Sequence, residues 1–104
     1  MSTLNDPAVI ERLIRTPATW AVVGLSNNPE RAAYRVAPYL QGIGHTIVPV
    51  HPKAEAVNGT TGYATLADVP GPVDVVDVFV NAGLAGAVVD EAIARGASAV
   101  WLQL

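Results

Sequence analysis

The chain has 104 residues, the size of one domain with room for a single core. Hydrophobic residues make up 51% and charged residues 14%, too apolar for disorder and in keeping with strands covered on both faces. A net charge of −3 gives no field to attract nucleic acid, and the absence of cysteine excludes disulfides and thiolate metal sites. No apolar run approaches the ~18–20 residues that cross a bilayer. The N-terminus lacks the apolar stretch and cleavage site of a secretory signal, so a cytoplasmic protein is expected.

Asp6-Pro7 pairs an N-cap residue with proline at the first helical position. Val9, Ile10, Leu13 and Ile14 then repeat at helical spacing through Arg15, and Pro17 closes this N-terminal helix, within residues 1–17. The core, residues 20–104, begins with Trp20-Ala21-Val22-Val23, an apolar strand that stops at Gly24. A turn-rich loop of Ser26, Asn27, Asn28 and Pro29 follows. Val36, Ala37 and Leu40 predict a helix from Arg31 to about Gln41, ended by Gly42 and Gly44. Pro38 sits badly there, because an interior proline removes a backbone donor and costs ~3 kcal/mol. Either a kink or a late start that puts Pro38 in the first turns is expected.

Thr46-Ile47-Val48-Pro49-Val50 is a second strand, ending at His51-Pro52-Lys53. Thr65 is placed to cap a short helix over residues 66–69, and residues 73–80 form a third strand. Leu84, Val88, Val89, Ala92 and Ile93 make an apolar stripe at helical spacing, with Gly96 suited to the C′ position. Ala99-Val100-Trp101-Leu102 is a fourth strand. Strands alternating with helices in this way predict one α/β domain, 1–104, with a parallel sheet of at least four strands. The chain ends at Leu104, in or just after the fourth strand, so C-terminal truncation or a partner covering the sheet edge is expected.

In a parallel sheet, ligands bind outside the carboxyl ends of the strands, where the strand order reverses. Segments 24–31, 50–53 and 79–82 and the chain end near Gln103 should converge there. A strand feeding a glycine turn and a helix start presents backbone N–H groups to a phosphate. A lone glycine at a strand end is more often a simple turn, but Ser26, Asn27, Asn28 and Arg31 add donors where an anion needs them. The loop is not the GxGxxG dinucleotide fingerprint, since Leu25, Ser26 and Asn27 follow Gly24. The acidic residue that would hold an NAD ribose is also missing, and His51, Pro52 and Lys53 stand in its place. A basic strand end suits a phosphorylated ribose, as in NADP or coenzyme A.

The remaining polar residues carry less. Asp74 and Asp77 fall on opposite faces of the third strand, so they are no catalytic pair; Asp74 belongs at its exposed beginning, and a buried Asp77 needs a partner. Asp90 and Glu91 read as a solvated helix face. His51 alone reads as a structural or surface residue rather than a catalyst, and His45 and His51 are too isolated to specify a metal site. Trp20 and Trp101 read as packing residues, while Tyr34 either packs under the loop or closes over a ligand.

Read together, WAVVGLSNNPERAAYRV, IVPVHPKAEAVNG, PGPVDVVDVFV and DEAIARGASAVWLQL resemble the small CoA-binding proteins. These are similar to the N-terminal nucleotide-binding domain of the succinyl-CoA synthetase α-subunit. The resemblance runs from about Trp20 to Leu104 and implies a Rossmann-like three-layer fold that binds coenzyme A or an acyl-CoA. It implies that Gly24, Ser26, Asn27, Asn28 and Arg31 line a pyrophosphate loop, with Tyr34 and Arg35 close behind. It further implies Pro52 and Lys53 near the adenosine end, and Val78 and Phe79 beneath the adenine or pantetheine path. This chain departs from the family at Val80-Asn81, where an arginine is usual, at Pro38, and in ending at WLQL. The family pattern holds no complete catalytic site, so no catalytic residue is assigned, and binding, accessory or regulatory, is expected over turnover. An NADP-binding redox domain and a structural module completed by a partner chain or a second copy are the alternatives.

Overall fold

The computed structural model of the chain describes residues 15–102. The helix predicted over residues 6–15 falls outside them except at Arg15, and Gln103 also falls outside. The strands are β1 (Thr19–Val23), β2 (Thr46–Val50), β3 (Val75–Val78) and β4 (Ala99–Leu102). Helix α1 spans Ala32–Gly42 and α2 spans Ala82–Ala94, with a 3-10 turn at Leu66–Asp68. The strands form one parallel sheet in the order β2-β1-β3-β4.

The pleat divides the apolar residues between two faces. Trp20, Val22 and Val75 meet Ala33, Ala37 and Leu40 of α1 on one side. Ala21, Val23, Val76 and Val78 meet Ala85 and Ala92 of α2, with Leu66 and Val69, on the other. The fold is therefore a three-layer α/β sandwich. Pro49 is accommodated because β2 is an edge strand. On that outer edge the His51 N–H donates to the Tyr63 carbonyl at 2.9 Å, so the donor Pro49 lacks is not needed by β1.

Both helices end in a Schellman motif. Gly44 N–H donates to the Gln41 carbonyl at 3.1 Å and His45 N–H to that of Leu40 at 3.1 Å. The Gly96 and Ala97 amides repeat this pattern on the Ile93 and Ala92 carbonyls, at 3.0 and 3.1 Å, as the C′ assignment of Gly96 requires. Trp20 is a packing residue, its ring 5.1 Å from His45 and 5.9 Å from Trp101.

Several local expectations are corrected. Helix α1 starts at Ala32, so Pro38 lies in its interior; the ring is exposed, and the helix runs on to Gly42. Thr65 stands at the N-cap of the 3-10 turn, but its side chain accepts no capping hydrogen bond. Of the α2 stripe, Ala92 is buried and Val88 and Val89 are half-buried, while Leu84 and Ile93 are each 56% exposed. The small Ala85 takes the core position beside the sheet, which leaves Leu84 outward.

Asp74 is the largest revision. The third strand is shorter than predicted, since residues 73–74 precede the strand and 79–80 follow it. Asp74 is half-buried, and its Oδ2 accepts the Thr19 N–H at 2.8 Å. Its N–H donates to the Thr19 carbonyl at 2.9 Å, and its carbonyl accepts from Ser98 at 2.8 Å. One residue thus braces the starts of β1, β3 and β4. Asp77 is buried on the α1 face, in register with Val22 and Trp101, and is held by an interaction within the protein.

Because the Asp74 carboxylate receives a backbone N–H, Asp74→Ala is expected to destabilise the domain by about 1.5–3 kcal/mol. Asp74→Asn, which keeps a carbonyl oxygen in place, should recover part of this in urea unfolding. An unchanged midpoint for the alanine variant would leave the bracing to the Asp74 backbone alone.

Candidate functional site

The strand order sets the site. From β1 the chain passes through α1 to β2 on one side, and β3 lies on the other. The segments leaving β1 and β3 diverge to opposite faces, which opens a crevice at the carboxyl end of the sheet. A cleft of about 690 Å³ occupies this position.

Gly24 forms its floor. Its φ of +102° is one that residues with a Cβ rarely adopt. Its N–H donates to the Val50 carbonyl at 2.7 Å, and a Cβ there would stand 3.2 Å from the Phe79 carbonyl oxygen. The Phe79 N–H in turn donates to the Val23 carbonyl at 2.8 Å. The three strand ends are therefore tied together at one glycine.

The loop after Gly24 is shaped by its own polar side chains. Leu25 turns inward and is fully buried, while Ser26 lines the cleft. Asn28 Oδ1 accepts the Glu30 N–H at 3.0 Å, and the Asn28 carbonyl accepts that of Arg31 at 3.1 Å. Arg31, in extended backbone, is the N-cap residue of α1 and lines the cleft. Ala32 and Ala33, at the open N-terminus of α1, line it too. Across the crevice Asn81 caps α2, its Oδ1 accepting the Leu84 N–H at 3.2 Å. Two helix N-termini, each carrying roughly half a positive charge, thus border one cavity.

Of the eleven candidate residues, Gly24, Ser26, Arg31, Pro52 and Phe79 line the cleft. The other six candidates stand elsewhere. Asn27 Nδ2 donates to the Ala56 carbonyl at 2.9 Å, and its N–H meets Glu55 Oε1 at 3.4 Å, so Asn27 links the loops after β1 and β2. Asn28 turns its Oδ1 on the loop itself, accepting the Glu30 N–H. Tyr34 packs half-buried against the α1-face core. Arg35 is exposed, its Nη1 3.5 Å from the Glu30 carbonyl; Lys53 is exposed in the turn after β2; and Val78 is buried inside the sheet.

The cleft also uses residues the sequence did not single out. Thr65 and Leu66 contribute one wall, and Leu84, Ala87, Val88 and Glu91 of α2 another. Glu91, read as a solvated residue, and His51, read as structural, both face this space. Asn81 had a legible signal, an N-cap residue between a strand and an apolar helix. Among the described residues that line the cleft, Arg31 carries the one arginine or lysine charge, and Val80 lines it too. Among the described residues no cluster of three or more histidine or carboxylate side chains could hold a metal ion. No helix among them is long and apolar enough to cross a membrane.

A parallel sheet that reverses its order at a glycine-ended first strand, with two helix N-termini at the crevice, defines a Rossmann-like nucleotide-binding domain. Comparison with known proteins makes this specific. The chain belongs to the CoA-binding domain family, whose model matches residues 18–104. Coenzyme A or an acyl-CoA is the ligand class that accompanies this membership. The chain is 39% identical to a hypothetical protein from Pyrococcus horikoshii, with a TM-score of 0.83, covering 88% of this chain and 65% of that one. It is 31% identical over 96 residues to the uncharacterized Bacillus subtilis protein YneT, covering 92% of this chain and 71% of the relative. It is also 34% identical over 65 residues to the α-subunit of an ADP-forming acetate–CoA ligase from Pyrococcus furiosus, 62% of this chain and 14% of that subunit. The kinship is thus with α-subunits of ADP-forming acyl-CoA synthetases in general rather than with the succinate enzyme in particular.

Gly24→Ala combines a strained φ with a Cβ pressed on the Phe79 carbonyl. It is expected to cost about 1–3 kcal/mol in urea unfolding. A stability equal to that of the native chain would show that the crevice floor can relax around a side chain.

Proposed function

We propose that this domain holds coenzyme A or an acyl-CoA in the cleft between β1 and β3, as an accessory or regulatory binding module rather than a catalyst. The pyrophosphate lies against the loop 24–31 and the N-termini of α1 and α2, and the phosphorylated ribose lies toward the basic end of β2 at Pro52 and Lys53. The observation that carries the reading is the meeting of Gly24, Arg31 and both helix N-termini on one cavity. Open amides and a guanidinium bind phosphate oxygens, and family membership supplies the rest of the ligand. A location in the cytoplasm fits a ligand of central metabolism. The ligase relative is one subunit of an assembly, which supports a partner chain for this domain. Descent of the same module into the succinyl-CoA synthetase α-subunit remains part of this reading.

Calorimetry with coenzyme A, dephospho-coenzyme A and NADP tests it. The full coenzyme should bind best, and Arg31→Ala should weaken it ~10- to 100-fold, the loss of one charge-assisted contact. Tight NADP binding without coenzyme A binding would replace this function with a redox one.

A further inference from the structure

We propose that His51 is a specificity-determining residue of this cleft, donating a hydrogen bond from Nε2 to the phosphate on the ligand's ribose; the inference rests on the coenzyme A reading above. His51 is the first residue beyond β2, half-buried, and part of the cleft wall. Its backbone is fixed on both sides, the N–H donating to the Tyr63 carbonyl at 2.9 Å and the carbonyl accepting from Ala54 at 2.7 Å.

The ring is fixed as well. The Lys53 backbone N–H donates to His51 Nδ1 at 3.2 Å. A nitrogen that accepts a hydrogen bond holds a lone pair there, so the proton of the neutral imidazole is on Nε2. The side chain therefore closes its own turn with one nitrogen and keeps a donor on the other. Pro52 between them restricts the backbone of this turn, which lowers the entropy lost when the donor is used.

Position gives that donor a meaning. At the end of the second strand of such a sheet, a carboxylate accepts from free ribose hydroxyls and selects an unphosphorylated ribose. A fixed N–H donor at the same place offers nothing to select hydroxyl protons, but it matches an anionic oxygen. Lys53 adds charge nearby, yet its side chain is exposed and does not line the cleft. The other charged residues that line the cleft with His51 are Arg31, at the N-cap of α1, and Glu91 of α2. The chemistry recognised is a ribose phosphate, present in both coenzyme A and NADP.

His51→Asn separates the two roles, because an asparagine Oδ1 can close the same turn while its shorter amide does not replace Nε2. The readouts are the affinity ratios of coenzyme A to dephospho-coenzyme A and of NADP to NAD, by calorimetry, beside a thermal melt. The variant should keep its melting temperature and its dephospho-coenzyme A affinity, while the advantage of coenzyme A falls at least fivefold. An unchanged ratio, or an equal loss for both ligands, overturns the proposal. A fall confined to the NADP ratio, with no coenzyme A binding by the native chain, supports the role of His51 and overturns the coenzyme A reading instead. No binding of any of the four ligands by the native chain overturns both. A measurement on the native protein does not depend on the variant folding: long-range proton–nitrogen correlation should show His51 protonated at Nε2. That nitrogen should shift with coenzyme A and not with dephospho-coenzyme A, and a proton on Nδ1 overturns the assignment.

Discussion

The approach of two backbones at Gly24 and Phe79 is the constraint on which the rest of the site depends. Strands β1 and β3 are neighbours in the ladder, yet the chain leaves them toward opposite faces of the sheet. For the crevice between those exits to form, the first residue beyond β1 must pass close to the first beyond β3. A side chain there would press on the Phe79 carbonyl, and the positive φ of Gly24 turns the loop away from the strand direction. The bond from Gly24 to Val50 then draws the end of β2 to the same point. One residue without a Cβ thus sets where α1 and α2 begin, and so where their N-termini gather.

The ends of the sheet are held by different means. At the amino end, Asp74 collects the strand starts: its carboxylate and its N–H hold Thr19 of β1, and its carbonyl accepts from Ser98 before β4. At the carboxyl end, loops are pinned to one another. Asn27 spans from the β1 loop to residues 55 and 56, and Val57 buries its side chain in the α1-face core. Gly62 lets residues 54 and 55 cross over the returning chain at a distance no side chain would tolerate. The long excursion after β2 is therefore anchored, and His51 and Pro52 present a fixed edge to the cleft.

Much of the architecture was legible because it follows from local rules. The apolar runs of β1, β2 and β4, the helical spacing in α1 and the glycines that stop both helices were readable one segment at a time. What misled was side-chain size within a pattern. The stripe Leu84, Val88, Val89, Ala92 and Ile93 counted every apolar residue as core, yet the close packing of α2 on the sheet selects Ala85 and leaves Leu84 and Ile93 outward. Asp74 was misread because its worth depends on Thr19 and Ser98, both far away in the chain.

The candidate site divides along the same line. The sequence by itself determined that a glycine-ended strand, a donor-rich loop and a basic second-strand end would occur in an order that suits a phosphorylated ligand. Residue type and spacing carry that information, since backbone conformation at glycine, capping at Asn81 and charge at Arg31 are local properties. Only the tertiary structure decided which of those donors are free. Asn27 donates its Nδ2 to the Ala56 carbonyl, Asn28 uses its Oδ1 on the Glu30 N–H, Tyr34 packs half-buried against the α1-face core, and His51 Nδ1 accepts from Lys53. The reason is that a polar group near a surface is taken by whichever partner the packed chain brings within reach, and that partner lies elsewhere in the sequence.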